Sequence, residues 1–230
     1  MVIVITGSTR GLGRGLAEYF TGQGHQVVGC GSADGDVRER RQLQRVWDTA
    51  VAEHGRVDLW INNAGITHSR LPLWQLGEDE AKAVVDVNLT GVVNGCAVAL
   101  SGMAAQGHGH VWNMEGLGSD GRMVPGLAVY GATKRALRYL TRALAAEAPP
   151  GVTVGLLSPG MVVTDLLLRD LTPQSRRAFG ILADRVETVA PWLGEQAVRR
   201  AGTNAHVRWL TPAKVLARFA MAPFVNRRVL

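Results

Sequence analysis

The first two dozen residues constrain the fold most. An apolar run, VIVIT (2–6), passes into TGSTRGLG (6–13), and a helical pattern, GLGRGLAEYFTGQG (11–24), follows at once. An apolar run of this length ending at glycines reads as a strand buried on both faces. A strand that leads directly into a helix calls for a parallel neighbour, because the helix carries the chain back before the next strand begins. Glycines at 7, 11 and 13 permit a tight turn and a close approach to a pyrophosphate. The helix N-terminus would meet that group with amide donors and partial positive charge.

The alternation continues. HQVVGC (25–30), VDLWIN (57–62), HVWNM (110–114) and VTVGLLS (152–158) read as further strands. Helical patterns cover RERRQLQRVWDTAVAEHG (38–55), a long stretch from about Trp74 to Ala105 interrupted near Asn88, and about Gly126 to Ala148. The chain is then less regular until HVRWL (206–210) and a last helix from Pro212. Right-handed crossovers make this a doubly wound α/β sheet. No repeat or interdomain linker interrupts it, so one domain over 1–230 is expected, with a substrate lid at about 165–205. Only about four residues separate Gly31 from Asp36 and Val37. That spacing predicts a truncated second crossover and a strand of a few residues there.

Hydrophobic residues make up 47% and charged ones 19%, which excludes a disordered chain. No apolar run is expected to span a membrane. The chain opens on MVIVITG with no secretory pattern, and Cys30 and Cys96 make neither a disulfide framework nor a metal cluster. A reducing, cytoplasmic setting and no metal are expected. The net charge of +6 suits an anionic partner such as a phosphorylated cofactor, an acidic substrate or a membrane surface. The basic residues are scattered and lack interleaved aromatics, so nucleic acid is not an expected partner. Only Lys82, Lys134 and Lys214 are lysines among 25 basic residues, which gives weight to a lysine at a meaningful spacing.

Tyr130 and Lys134 stand four apart on a predicted helix and share a face. A neighbouring ammonium favours the phenolate and is expected to lower the tyrosine's pKa, preparing it for proton transfer. INNAG (61–65) follows a strand, and its small residues would pass beside a cofactor as scaffold and wall. Sites for NAD place a carboxylate at the end of the second strand, on the ribose 2′-hydroxyl. Here that place holds Gly31 and Ser32. Arg10 in the glycine loop can approach a 2′-phosphate, and Ser32 can donate to it. NADPH/NADP is the expected cofactor. Asp36 and Val37 would border its adenine, unless Asp36 caps the next helix.

TGSTRGLG, NNAG, Asn88 in VNLTG, YGATK and SPG together resemble the short-chain dehydrogenase/reductase family, in order and over nearly the whole chain. The resemblance implies a Rossmann domain with strand order 3-2-1-4-5-6-7. It implies that Gly7, Gly11 and Gly13 bind the pyrophosphate and that Asn63 lines the adenosine half, with Ser8, Thr9, Arg10, Leu12, Ala64 and Gly65 also in the cofactor site. Pro159, Gly160, Val162 and Thr164 would contact the nicotinamide end. Tyr130 would exchange the proton, Lys134 would orient the ribose, and Asn88 would hold a water behind Lys134. A homodimer or homotetramer through the long helices is also implied. NMEGLGSDGRMVPGLAVYGATKR, SPGMVVTDLLL, ILADRVETVAPWL and RWLTPAKVLA further resemble a plant branch, the chlorophyll(ide) b reductases. Those enzymes use NADPH to reduce a 7-formyl group to hydroxymethyl. The truncated crossover and the absent leader depart from that branch and suggest a bacterial relative.

The family's usual serine lies thirteen residues before the tyrosine, which here is Leu117; counting from Asn113 gives Gly116. Ser119 lies eleven before Tyr130. Ser119, or the amides of Gly116 to Gly118, would hold the substrate oxygen. Glu115 has no assigned role. His68 reads as a surface histidine or a contact to substrate or magnesium. In the lid, Leu166, Leu167, Leu168, Leu171, Phe179, Ile181, Leu182 and Trp192 offer either an apolar wall for a flat macrocycle or ordinary helix packing. The tail VLARFAMAPFVNRRVL would lie on a membrane surface, or pack on its own domain or a second copy. The expected activity is reduction of a hydrophobic carbonyl, with chlorophyll(ide) b or a related tetrapyrrole preferred. Turnover of another hydrophobic ketone or alcohol stays open, as does a non-catalytic nucleotide-binding sensor or assembly protein.

Overall fold

The computed structural model describes residues 1–168 and 173–224. Six strands form one parallel sheet: β1 (Val2–Thr6), β2 (Gln26–Cys30), β3 (Leu59–Asn62), β4 (Gly109–Met114), β5 (Val152–Ser158) and, last in the chain, β8 (His206–Arg208). Two short strands, β6 (Val162–Val163) and β7 (Asp184–Arg185), pair apart from it. The sheet order is β2-β1-β3-β4-β5-β8. This is the expected doubly wound order with its third strand missing.

The truncation therefore goes further than the sequence suggested. Residues 31–39 form turns, and among the described residues no strand pairs with the outer edge of β2. The backbone closes on itself there: Gly31 N donates to Asp34 Oδ1 (2.6 Å) and Gly35 N to Gly31 O (2.8 Å). The chain then enters α2 (Arg40–His54) directly.

Nine α-helices occur among the described residues. α1 (Gly11–Gly22) and α8 (Val186–Arg199) cover one face of the sheet; α2, α4 (Gly91–Gln106) and α5 (Ala128–Glu147) cover the other. The alternation of a strand distributes β1 between them. Val4 joins Trp47, Trp60, Met103 and Leu137, whereas Ile3 and Ile5 join Phe20, Trp112 and Leu193. Every residue of β1 is buried, as a central parallel strand requires. Each such side chain contributes roughly 1.5–3 kcal/mol through its burial.

The break expected near Asn88 is a π-helical turn, Asp86–Thr90, between α3 (Glu78–Val85) and α4. The helical stretch 78–106 is long and apolar enough to cross a membrane by length and composition, contrary to the sequence expectation. Half of its most apolar window is buried in the protein, and it packs against α2 and the sheet as a core helix. α6 (Asp165–Leu168), α7 (Pro173–Leu182) and α9 (Pro212–Met221) complete the set. α9 is tied to the lid by Arg218, which donates to Leu182 O (2.8 Å) and Asp184 Oδ1 (3.0 Å).

Candidate active site

Strand order reverses between β1 and β3, and a cleft of about 730 Å³ opens over the C-terminal strand ends there. Thr6 and Asn63 tie the two ends together. Thr6 Oγ1 accepts from Asn63 N and Ala64 N (3.1 Å each), and Asn63 Nδ2 donates to Thr6 O (3.0 Å) and Gly7 O (3.1 Å). Gly7 has φ +65°, and a Cβ there would stand 2.7 Å from Ala64 Cα. A Cβ at Gly13 would stand 2.2 Å from Gly7 O. The glycines thus make a bare backbone cradle at the start of α1.

Most of the expected cofactor residues line this cleft: Gly7, Thr9, Arg10, Gly11, Leu12, Gly13, Ser32, Asp36, Val37, Asn63, Ala64, Gly65, Pro159, Gly160, Val162 and Thr164. Ser8 does not. Its amide and hydroxyl turn to Cys30 O (3.1 and 3.4 Å), fastening the loop to β2. At the outer end Arg38 joins Arg10 in the wall, a residue the sequence reading missed. Two carboxylates lie near that end. Asp34 is occupied by the Gly31 amide, and Asp36 by Arg38 (Nε 3.0 Å to both carboxylate oxygens). The Arg38 side chain holds Asp36 below the usual carboxylate range.

Tyr130 and Lys134 line the opposite wall of the same cleft. Both are buried, and Lys134 Nζ donates to Met114 O (3.3 Å). Burial pushes the Tyr130 phenol up to about 12. Burial also pulls the Lys134 ammonium down to about 8, opposed by the charge of Glu115. The expected lowering of the tyrosine is therefore not found. The ammonium stands 6.0 Å from the ring centroid, and loss of water around the phenol decides its ionisation.

Asn88 is fully buried behind the pair rather than in the cleft. Its side chain exchanges hydrogen bonds with Ile66 N (2.8 Å) and Ile66 O (2.9 Å). A Cβ on Gly65 would lie 3.4 Å from both Asn88 Oδ1 and Lys134 Nζ, so these two polar atoms flank one point. Ser119 is buried and does not line the cleft; Glu115, Gly116 and Leu117 do. The loop turns Ser119 inward, with its amide on Gly116 O (3.1 Å) and its carbonyl accepting from Arg135 (3.0 Å). Gly116 instead stands where the missing side chain would be: a Cβ there would meet Tyr130 Oη at 2.4 Å.

His68 is not a surface residue and does not line the cleft. It is buried, with Nδ1 donating to Ser69 O (2.8 Å) and Nε2 accepting from Tyr130 N (3.2 Å). That pattern requires the neutral ring and caps the N-terminus of α5. In the lid, Leu166 reaches the cleft, but Phe179 and Leu182 are buried in packing and Trp192 stacks edge-on against Trp209 (5.2 Å). Helix packing, not a macrocycle wall, explains those three. Leu171 and the side chain of Leu167 lie outside the described residues, as does the end of the tail from position 225.

A parallel sheet with a glycine cradle on one wall of its switch-point cleft and a buried tyrosine–lysine pair on the other defines an oxidoreductase of the dinucleotide type. The chain belongs to the short-chain dehydrogenase family: the family profile of that description matches residues 32–174. It is 36% identical to a protein of Oryza sativa subsp. japonica named chlorophyll(ide) b reductase NOL, chloroplastic, over 98% of this chain and 76% of that one. The protein of the same name from Arabidopsis thaliana is 35% identical over 99% and 76%. Among solved structures, a 3-ketoacyl-(acyl-carrier-protein) reductase from Brucella melitensis complexed with NADH superposes with a TM-score of 0.75. It is 25% identical, and the match covers 94% of this chain and 92% of that one.

Proposed function

We propose that the protein is an NADPH-dependent carbonyl reductase whose preferred substrate is the 7-formyl group of chlorophyll(ide) b or a related tetrapyrrole. The observation that carries this reading is the placement of Tyr130 and Lys134 across one cleft from the glycine cradle. The cradle fits a pyrophosphate, since a Cβ at Gly7 or Gly13 would collide with backbone and the bare loop lines the cleft at the start of α1. Arg10, Arg38 and Ser32 would hold the 2′-phosphate.

A bound NADPH would supply the hydride to the carbonyl carbon. Tyr130 would then give its phenolic proton to the carbonyl oxygen. Its raised pKa keeps the proton in place until the oxygen becomes basic. Lys134 would hold the nicotinamide ribose and stabilise the phenolate left behind, and Asn88 would fix the backbone beside Lys134. Gly116 leaves the oxygen's approach to Tyr130 open, and amides of 116–118 would hold that oxygen in place of a serine.

The test is NADPH oxidation by the purified protein with chlorophyllide b, run beside a panel of simple and acyl ketones. Formation of the 7-hydroxymethyl product is expected. Good ketone turnover without formyl reduction would overturn the tetrapyrrole reading, and no turnover of any carbonyl would overturn the reductase reading.

A further inference from the structure

Tyr130, Lys134 and Arg138 follow at four-residue intervals on α5 and so share one face. Arg138 is the anchor of that face. Its Nε donates to Glu115 Oε1 (2.5 Å) and its Nη2 to Glu115 Oε2 (3.3 Å). Glu115 sits at the end of β4, its side chain fully buried. Ser158 Oγ at the end of β5 donates to the same carboxylate (2.5 Å), and His206 Nε2 of β8 lies 2.9 Å from it. One carboxylate thus joins three strand ends to the catalytic helix. With its oxygens occupied four ways, it is not a proton carrier.

Lys134 lies along the same backbone. Its Nζ donates to Met114 O, and a Cβ on Gly116 would lie 3.2 Å from its Cγ and Cε. The residues on either side of Glu115 therefore both lie beside Lys134. Among the described residues no carboxylate forms a direct ion pair with this buried ammonium. The titratable or charged groups around it are Tyr130 on its own helix and Glu115 at the strand end. Behind Glu115 stand Arg138, His206, and Arg208, which donates to the His206 ring (3.2 Å). The π-turn contributes neutral Asn88, and His68 meets the backbone amide of Tyr130.

We propose that Glu115 is a positioning residue for the Tyr130–Lys134 pair, fixing α5 against the end of β4 and supplying the counter-charge that keeps Lys134 an ammonium. The kinetic part of this rests on the reductase reading above. Two further facts agree with it. Burial would raise Glu115, but the hydrogen bonds from His206, Arg138 and Ser158 outweigh burial and hold it at about 2, so it stays anionic at all working pH values. Its charge also opposes the burial that lowers Lys134.

The chain has three lysines, Lys82, Lys134 and Lys214. Lysine labelled with ¹³C at Cε therefore gives three resonances, assigned through Lys82→Arg and Lys214→Arg. Their pH titration needs no turnover. In Glu115→Gln, which keeps the shape and loses the charge, the Lys134 midpoint is expected to move to lower pH. Arg138→Gln and Glu115→Asp loosen the anchor but keep the carboxylate, so the midpoint is expected at or above that of the wild type. An unmoved midpoint in Glu115→Gln, or a fall in either of the other two, overturns the proposal. If Glu115→Gln does not fold, the other two still decide it. In turnover, Glu115→Gln is expected to lose kcat about tenfold on the alkaline side with KM unchanged, the mark of a step beyond binding. Absence of turnover in the wild type would overturn the reductase reading alone and leave the titration standing.

Discussion

Gly116 stands directly over the hydroxyl of Tyr130, close enough that a methyl group in its place would come within 2.4 Å of that oxygen. Glycine here does more than permit a turn. It leaves the phenol's proton-bearing end open to the cleft. In Gly116→Ala and Gly116→Ser the buried ring must shift, and kcat is expected to fall on the order of 10²-fold, in line with the cost of misplacing a reacting group. Nucleotide affinity, measured by fluorescence titration, should stay within about threefold, because the glycine cradle lies across the cleft. A Gly116→Ser variant with wild-type or better kcat would show that the position still accepts the serine.

Ser119 makes the reciprocal case. It is buried outside the cleft, and the hydrogen bonds that place it in the loop are made by its backbone. Ser119→Ala should keep kcat/KM within about twofold, as expected of a group that makes no contact with the reacting atoms. A loss of two orders of magnitude would return the oxygen-holding role to this serine.

Tyr130→Phe removes the phenolic proton and keeps the ring that packs with Val84 and Leu127. Turnover should drop by at least about 10³-fold, the upper range for general acid catalysis. NADPH should still bind. Wild-type turnover in this variant would remove Tyr130 from the chemistry.

What the sequence disclosed follows from the range of the interactions involved. VIVIT, the glycine loop and the four-residue step from Tyr130 to Lys134 are local patterns, and the structure forms the strand, turn and helix they predict. The break at Asn88 was legible too, although a π-turn and a loop look alike in sequence. Strand 3 was over-read, because its replacement depends on Asp34 and Gly35 folding back on Gly31. Glu115 stayed without a role because its partners lie 23 and 91 residues away. His68 was misread for the same reason: its ring accepts from the amide of Tyr130, 62 residues on. The Tyr130–Lys134–Arg138 face was available to helix periodicity, yet only its first two members carried a recognisable motif.

Cofactor preference should rest mainly on Arg10. It is exposed at the head of α1 and carries no ion pair among the described residues, whereas Arg38 is already held by Asp36. Arg10→Ala should weaken NADPH about tenfold, the scale of one charge-assisted hydrogen bond, and leave NADH nearly unchanged. Arg38→Ala should cost NADPH less. Isothermal titration of both cofactors against each variant separates these outcomes. Equal losses for NADPH and NADH would place Arg10 on the pyrophosphate instead.

Acid should destabilise the protein through His110. This residue lies buried in β4, with Nδ1 2.6 Å from Thr153 Oγ1, its ring 4.1 Å from that of Trp112, and Nε2 without a partner. Burial lowers its pKa from 6.5 to about 3. The unfolded chain therefore takes up this proton first as pH falls. Stability is full above about 6.5 and declines steadily towards pH 3, by about 2 kcal/mol between pH 7 and pH 5. Glu115, lowered from 4.5 to about 2, adds its own loss only below that interval. Replacing both partners by apolar residues, as His110→Phe with Thr153→Val, removes the titration without leaving an orphaned donor or acceptor. Urea unfolding at pH 7 and pH 5 should then show a stability gap about 2 kcal/mol smaller in the double variant than in the wild type. An identical gap in the two proteins would mean that His110 titrates at its ordinary value, and hence that water reaches its ring.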